Sequence, residues 1–180
     1  MKKVLIVTDM QNDFITGSLG SPDACAIEEN AVAKILHFDG EILYTLDTHT
    51  EAYLTTQEGN RLPVAHCIAG TNGWAPSAAV WMALKERDVA DEKHMVVKDT
   101  FGAKELPLRV HELFPDDPDE ITLIGLCTDI CVISNAMVLK AFFPETRIVI
   151  DAACCAGASK EGHRQALAAM QVCQIDIENA

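Results

Sequence analysis

Asp9, Lys98 and Cys131 are three reactive residues, each placed where a short apolar run of the sequence ends. Asp9 follows "VLIVT", Lys98 closes "HMVVK", and Cys131 lies in "GLCTDICVISNA", directly after "EITLIG". A thiol is a strong nucleophile as the thiolate, and a cysteine where a helix begins lies in a field expected to lower its pKa. Lys98 can hold a thiolate by charge, while Asp9 can take its proton and later deliver it to a leaving group. That is the chemistry of a nucleophile with an acid/base partner. A buried ion pair between Asp9 and Lys98 is the plainer alternative for those two. Cys127, four residues before Cys131, leaves the pair of cysteines open to four readings: metal clip, redox couple, nucleophile with a neighbour, or core.

A second constellation lies in "DTHTEAYLTTQEGNRLPVAHC". Asp47 and His49 are alternate residues leaving an apolar run, so their side chains can point the same way. Glu58 and His66 return later in the same segment. Two imidazoles and two carboxylates suit a divalent ion such as zinc, manganese or iron, with positions left for water or substrate. Solvated loop residues are the alternative.

Positioning these groups requires a regular scaffold, and the sequence describes one. Apolar runs of strand length occur at 4–7, 41–46, 94–98, 120–125, 146–151 and 173–177. Between them, segments such as "CAIEENAVAKILHF", "PSAAVWMALKER", "ELPLRVHELF", "CVISNAMVLKAFF" and "SKEGHRQALAAMQ" carry apolar residues at three- and four-residue spacing. Ser159, with Glu161 soon after it, makes a helix start. Alternation of this kind predicts a three-layer α/β/α fold around a mostly parallel, doubly wound sheet of six strands. Ligands of such sheets bind outside the carboxyl ends of the strands, where the strand order reverses. Asp9, Asp47, His49, Lys98 and the "GLCTDIC" segment all fall at those ends. Residues 47–75 lack periodicity, and a loop that long in a compact domain is usually functional.

Composition narrows the function classes. The chain has 180 residues, about half of them apolar, with no internal repeat or linker, which predicts one domain over residues 1–180. A formal net charge of -13 argues against nucleic acid or anionic membrane as a partner. No apolar stretch approaches the roughly 20 residues of a membrane span, and the N-terminal apolar run is too short for a signal peptide. A cytoplasmic location is expected. The seven cysteines form an odd set without paired CxxC spacing, so most are expected to be buried thiols, and a zinc clip through Cys127 and Cys131 has no second pair to complete it. His94, His111 and His163 show no ligand spacing.

"VLIVTDMQNDF", "VVK" and "GLCTDICV" together resemble, in order and spacing, the three catalytic blocks of the isochorismatase-like cysteine hydrolases, and among them the nicotinamidases. The similarity extends over essentially the whole chain. It implies a catalytic triad of Asp9, Lys98 and Cys131. It also implies a non-proline cis peptide between Leu126 and Cys127, so that the backbone N–H groups of Cys127 and Cys131 form an oxyanion hole. A metal, zinc or else manganese or iron, is implied on Asp47, His49, Glu58 and His66. Phe14 and Phe101 match aromatic positions of the substrate pocket, and Ile130 precedes the nucleophile. The implied reaction is amide hydrolysis, nicotinamide to nicotinate and ammonia, in NAD salvage. Alternatives are another small amide or carbamoyl substrate, or a silent family member serving in binding or regulation. The expected partner is a small-molecule amide, with a homo-oligomer compatible with it. One departure concerns the substrate: Pro63 stands three residues before His66, where nicotinamidases often carry a stacking aromatic. Trp74 is either its replacement or a structural residue.

Overall fold

The computed structural model describes residues 1–180 and contains six strands: β1 (Lys3–Thr8), β2 (Glu41–Asp47), β3 (Met95–Lys98), β4 (Glu120–Leu126), β5 (Arg147–Ala156) and β6 (Asp176–Glu178). They form one sheet in the order β3-β2-β1-β4-β5-β6, and every neighbouring pair is parallel. The sheet is therefore wholly parallel, where the sequence predicts a mostly parallel one. The central strands read as unbroken apolar runs because both faces are covered, and Val4 to Val7 are all buried.

Eight helices supply the cover: α1 (Asn12–Ile15), α2 (Pro22–Ala26), α3 (Glu28–His37), α4 (Gln57–Arg61), α5 (Ala78–Glu86), α6 (Leu106–Leu113), α7 (Ile133–Phe142) and α8 (Lys160–Val172). Leu106 and Val110 of α6, Ala136 and Leu139 of α7, and Leu167 and Met170 of α8 pack with Val4, Ile6 and Leu43 on one face. Ala31 and Ile35 of α3, and Val80, Ala83 and Leu84 of α5, pack with Leu5, Val7 and Ile42 on the other. The alternation of neighbouring strand residues between two cores follows from the two-residue period of a strand. Helix α8 starts where its sequence indicates: Ser159 Oγ accepts the Gly162 N–H at 3.0 Å. No helix is long and apolar enough to cross a membrane.

Two elements differ from the sequence reading. Strand β5 runs five residues past Asp151, so Cys154 and Cys155 lie within it, one in each core. The small residues of "AACCA" can continue a strand buried on both faces, although their run lacks the branched side chains that mark strands in sequence. Residues 47–75 are not wholly irregular, since they hold a single 3-10 turn at Tyr53–Thr55 followed by α4.

Chain order moves outward from β1 through β2 to β3 and then returns to place β4 on the other side of β1. The carboxyl ends of β1 and β4 thus flank the switch point. Gly125 makes their close approach possible. It has φ +114, and an added Cβ there would overlap the Thr8 carbonyl oxygen. Only glycine meets both demands. Gly125→Ala is expected to destabilise the protein by about 3 kcal/mol or more, from strain and overlap with an immovable backbone atom. Calorimetry should show a melting midpoint lower by about 6–12 °C. An unchanged midpoint would mean that the turn after β4 relaxes freely.

Candidate active site

The carboxyl end of the sheet gathers a buried ionic cluster. Asp9 follows β1 in a left-handed conformation, φ 48, which aspartate tolerates better than most residues. Thr45 of β2 clamps it: the Thr45 hydroxyl donates to Asp9 Oδ1 at 2.5 Å and accepts the Asp9 N–H at 3.2 Å. Lys98 ends β3 beside Asp47, its register partner at the end of β2. Its Nζ lies 2.8 Å from Asp9 Oδ2, 3.0 Å from Asp47 Oδ1 and 3.5 Å from Cys131 Sγ, and donates to the Thr100 carbonyl at 3.1 Å. Asp9, Lys98 and Cys131 are 0, 3 and 4 % exposed. One ammonium therefore joins all three residues that the sequence singled out, and the Asp9–Lys98 ion pair is real as well.

Electrostatics separates the two carboxylates on that ammonium. Burial pushes the Asp9 carboxyl up, against the pull of Lys98 and with the Asp47 charge adding to the rise. Asp47 feels burial too, but hydrogen bonds from His49 and His66 and the Lys98 charge hold it well below the usual carboxylate range. Asp47 thus stays anionic, while Asp9 is the group suited to take up and release a proton. Lys98 loses solvation, yet the charges of Asp9 and Asp47 outweigh that loss and hold it firmly cationic. The thiol differs from the sequence expectation. Burial first, and then the Asp9 charge, push Cys131 well above its ordinary value. Helix polarity does not overcome an enclosed site that already holds two carboxylates against one ammonium. Cys131 rests as the thiol, and Lys98 Nζ touches both it and Asp9.

Cys131 sits in a wide turn, Thr128–Val132, that precedes α7. The Leu126–Cys127 peptide before it is cis, as the family resemblance implies. The Cys127 carbonyl accepts from Ile130 N at 3.0 Å and Val132 N at 3.1 Å, while its own N–H donates to no protein acceptor. The turn is tied to the start of α8, for Thr128 Oγ1 and His163 Nδ1 are 2.8 Å apart and Asp129 Oδ1 accepts the Ala158 N–H at 2.9 Å. His163, which spacing left without a role, is thus a support of this turn. Burial raises the Cys127 thiol to about 12. That thiol is a poor nucleophile.

The second constellation converges as well. Asp47 Oδ2 is 3.0 Å from His49 Nε2 and 3.5 Å from His66 Nε2, and Glu58 Oε1 is 3.7 and 3.8 Å from the same nitrogens. Donor atoms about 2.0–2.1 Å from a tetrahedral ion stand about 3.4 Å from one another, which these separations bracket. The Val64 carbonyl lies 2.8 Å from His66 Nδ1, a contact that places a ring proton there and turns Nε2 toward the other donors, where a bound ion would replace the proton that Nε2 otherwise gives to Asp47. Asp47, His49 and His66 form a buried group that can hold a metal ion. Asp47 offers it only Oδ2, since Oδ1 is engaged by Lys98. Glu58, on α4, is more exposed, with 21 % of its side chain accessible.

Both groups open on one cavity of 310 Å³, lined by Cys131 and by Asp47, Glu58 and His66. Phe14, Phe101 and Ile130 line it, together with Cys127. Sequence reasoning missed Leu19, Ala24 and Leu62, which complete an apolar wall. Trp74 does not line the cavity. Its Nε1 donates to Thr48 Oγ1 at 2.7 Å and its carbonyl accepts from Gln11, so it is structural, and Leu62 stands at the wall near the position where an aromatic was sought.

A family model described as the isochorismatase domain matches residues 3–178. A relative described as an uncharacterized isochorismatase family protein, PncA, of Bacillus subtilis (strain 168) is 30% identical over 179 residues, covering 93% of each chain. The crystal structure of nicotinamidase PncA from Bacillus subtilis superposes with a TM-score of 0.82 at 28% identity, over 98% of this chain and 99% of that one. Pyrazinamidase of Pyrococcus horikoshii, solved in complex with zinc, gives 0.80 at 21% identity over 98% of both chains, a likeness of fold.

Proposed function

Because the chain belongs to the isochorismatase family of hydrolases, we propose that it is a metal-containing cysteine amidohydrolase that converts nicotinamide and water to nicotinate and ammonia, the step that returns nicotinamide to NAD synthesis. The observation that carries this reading is the contact of Lys98 Nζ with Asp9, Asp47 and Cys131 together, in a cluster whose Asp47 and Cys131 line one cavity with Glu58 and His66.

In the proposed reaction Cys131 Sγ attacks the carboxamide carbon as its proton passes to Asp9. Burial raises the proton affinity of the Asp9 carboxylate and so supports its role as acceptor. Lys98 compensates the negative charge that moves between thiolate and carboxylate. The oxygen of the tetrahedral intermediate accepts hydrogen bonds from the backbone N–H groups of Cys127 and Cys131. Asp9 then protonates the leaving nitrogen, ammonia departs, and a thioester joins substrate to Cys131. Water adds to the thioester with Asp9 again taking a proton, and expulsion of the thiol restores the enzyme.

Asp47, His49 and His66, with Glu58 as fourth donor, would hold the metal, whose zinc form is supported by the donor set and by the zinc in the Pyrococcus horikoshii structure. A bound ion supplies an electrophilic position that can take a pyridine nitrogen. Phe14, Phe101 and Ile130 supply flat, apolar contacts for a ring held there. Orientation of this kind can remove several kcal/mol of barrier.

The apolar wall at Leu62, without a stacking ring, favours one second reading, a family hydrolase of another small amide. An ammonia-release assay over a panel of small amides decides between them. Nicotinamide is expected to be the best substrate, with about one transition-metal ion per chain by elemental analysis. Ammonia from another amide but none from nicotinamide would assign the second reading.

A further inference from the structure

We propose that Gln11 and Asp13, in the run directly after Asp9, are positioning residues for the metal: they bind no ion themselves but clamp the backbone that carries its ligands. The proposal rests on the reading that Asp47, His49 and His66 hold a metal.

Gln11 is fully buried, and its side-chain amide pairs with the main chain of Asp47 in both directions. Nε2 donates to the Asp47 carbonyl at 2.8 Å, and Oε1 accepts the Asp47 N–H at 2.8 Å. Nε2 also donates to the Trp74 carbonyl at 2.8 Å, at the far end of the ligand-bearing loop. The amide acts as one more residue of β1 would, at the point where β1 has ended and β2 runs on to its ligand.

Asp13 acts on the two histidines. Its Oδ2 accepts the N–H of Cys67 at 2.8 Å. Cys67 follows His66 directly, is held at φ 46, and accepts the His49 N–H on its carbonyl at 2.9 Å. One carboxylate therefore holds Cys67, the residue through which the two imidazole-bearing segments meet. The backbone N–H groups of Asn12 and Asp13 donate to the Ala75 and Gly73 carbonyls, both at 3.0 Å, and tie down the return of the loop. Gln11 and Asp13 do not line the cavity. Their effect on the site passes through the loop, whose 28 residues from Thr48 to Ala75 include only the 3-10 turn and α4 as regular structure.

Outer-shell partners of metal ligands typically carry 10- to 100-fold in affinity. The zinc dissociation constant of metal-stripped protein, measured by competition with a chelating dye, is expected to rise about 10- to 100-fold in Gln11→Leu and in Asp13→Ala. Asp13→Asn keeps an oxygen for the Cys67 N–H and is expected to recover most of that loss. A purely structural role would lower the thermal midpoint of the metal-free protein and leave the zinc constant where it was. Unchanged zinc constants in both Gln11→Leu and Asp13→Ala overturn the proposal. Should Gln11→Leu not fold, the comparison of Asp13→Ala with Asp13→Asn at the half-buried position decides alone. A wild-type protein that takes up no zinc defeats the metal reading and the clamp with it, whereas wild-type binding that the variants match defeats only the clamp.

Discussion

Cys131→Ala is expected to lose at least about 10⁴-fold in ammonia release from nicotinamide, with no thioester detectable by mass spectrometry, because no other group can form the covalent intermediate. Cys127 cannot stand in for it, since burial holds that thiol at about 12 and Lys98, which touches Cys131, makes no contact with it. The lost sulfur is one small atom in a wall that already borders a cavity, so the melting midpoint should move by no more than about 4 °C. That separation of activity from stability identifies a nucleophile rather than a core residue. Cys127→Ala is the control: it removes a half-buried thiol from the residue just before the same turn but keeps the backbone N–H proposed for the oxyanion, and it should retain substantial turnover. Near-normal activity in Cys131→Ala would end the proposed mechanism. Complete loss in a folded Cys127→Ala would give that thiol a part in the reaction that its chemistry does not suggest.

The scaffold was largely legible because parallel strands buried on both faces must be written as apolar runs, and "VLIV", "EILYTL" and "EITLIG" are such runs. The same logic placed Asp9, Asp47, Lys98 and Cys131 at strand ends, which the register of β2 with β3 and the order of β1 and β4 bring together. What escaped notice depends on burial and on contacts distant in sequence. The rest state of Cys131 followed from an enclosure that includes two carboxylates, and no local signal reports how closed a site will be. Thr45 is one hydroxyl in an apolar strand, and only the structure shows it against Asp9. Gln11 stood in a quoted motif, yet its partner Asp47 lies 36 residues away. Residue type alone makes Trp74 a candidate for the pocket, but its indole N–H already has a partner in Thr48.

The ring nitrogen offers a test of substrate that the triad cannot provide. Benzamide has the carboxamide and nearly the shape of nicotinamide, so Cys131, Asp9 and the two backbone N–H groups would meet both amides alike. Phe14, Phe101 and Ile130 would also pack against either ring. The two differ only at the ring nitrogen, which the proposed binding mode directs toward Asp47, His49, Glu58 and His66. If a metal there orients the substrate, nicotinamide should be preferred in kcat/KM by at least about 100-fold, the scale on which a polar site rejects an analogue lacking its intended partner. Removing the metal with a chelator should then lower the nicotinamide rate far more than the benzamide rate, and added zinc should restore the difference. His66→Ala should reproduce the effect of chelation, because His66 supplies a nitrogen donor and Lys98, Asp9 and Cys131 remain in place without it. Selectivity drawn from the apolar wall at Leu62 predicts the opposite pattern, in which both amides react at similar rates and neither responds to the chelator. Such a result would remove nicotinamide as the substrate while leaving the cysteine amidohydrolase reading of Asp9, Lys98 and Cys131 intact.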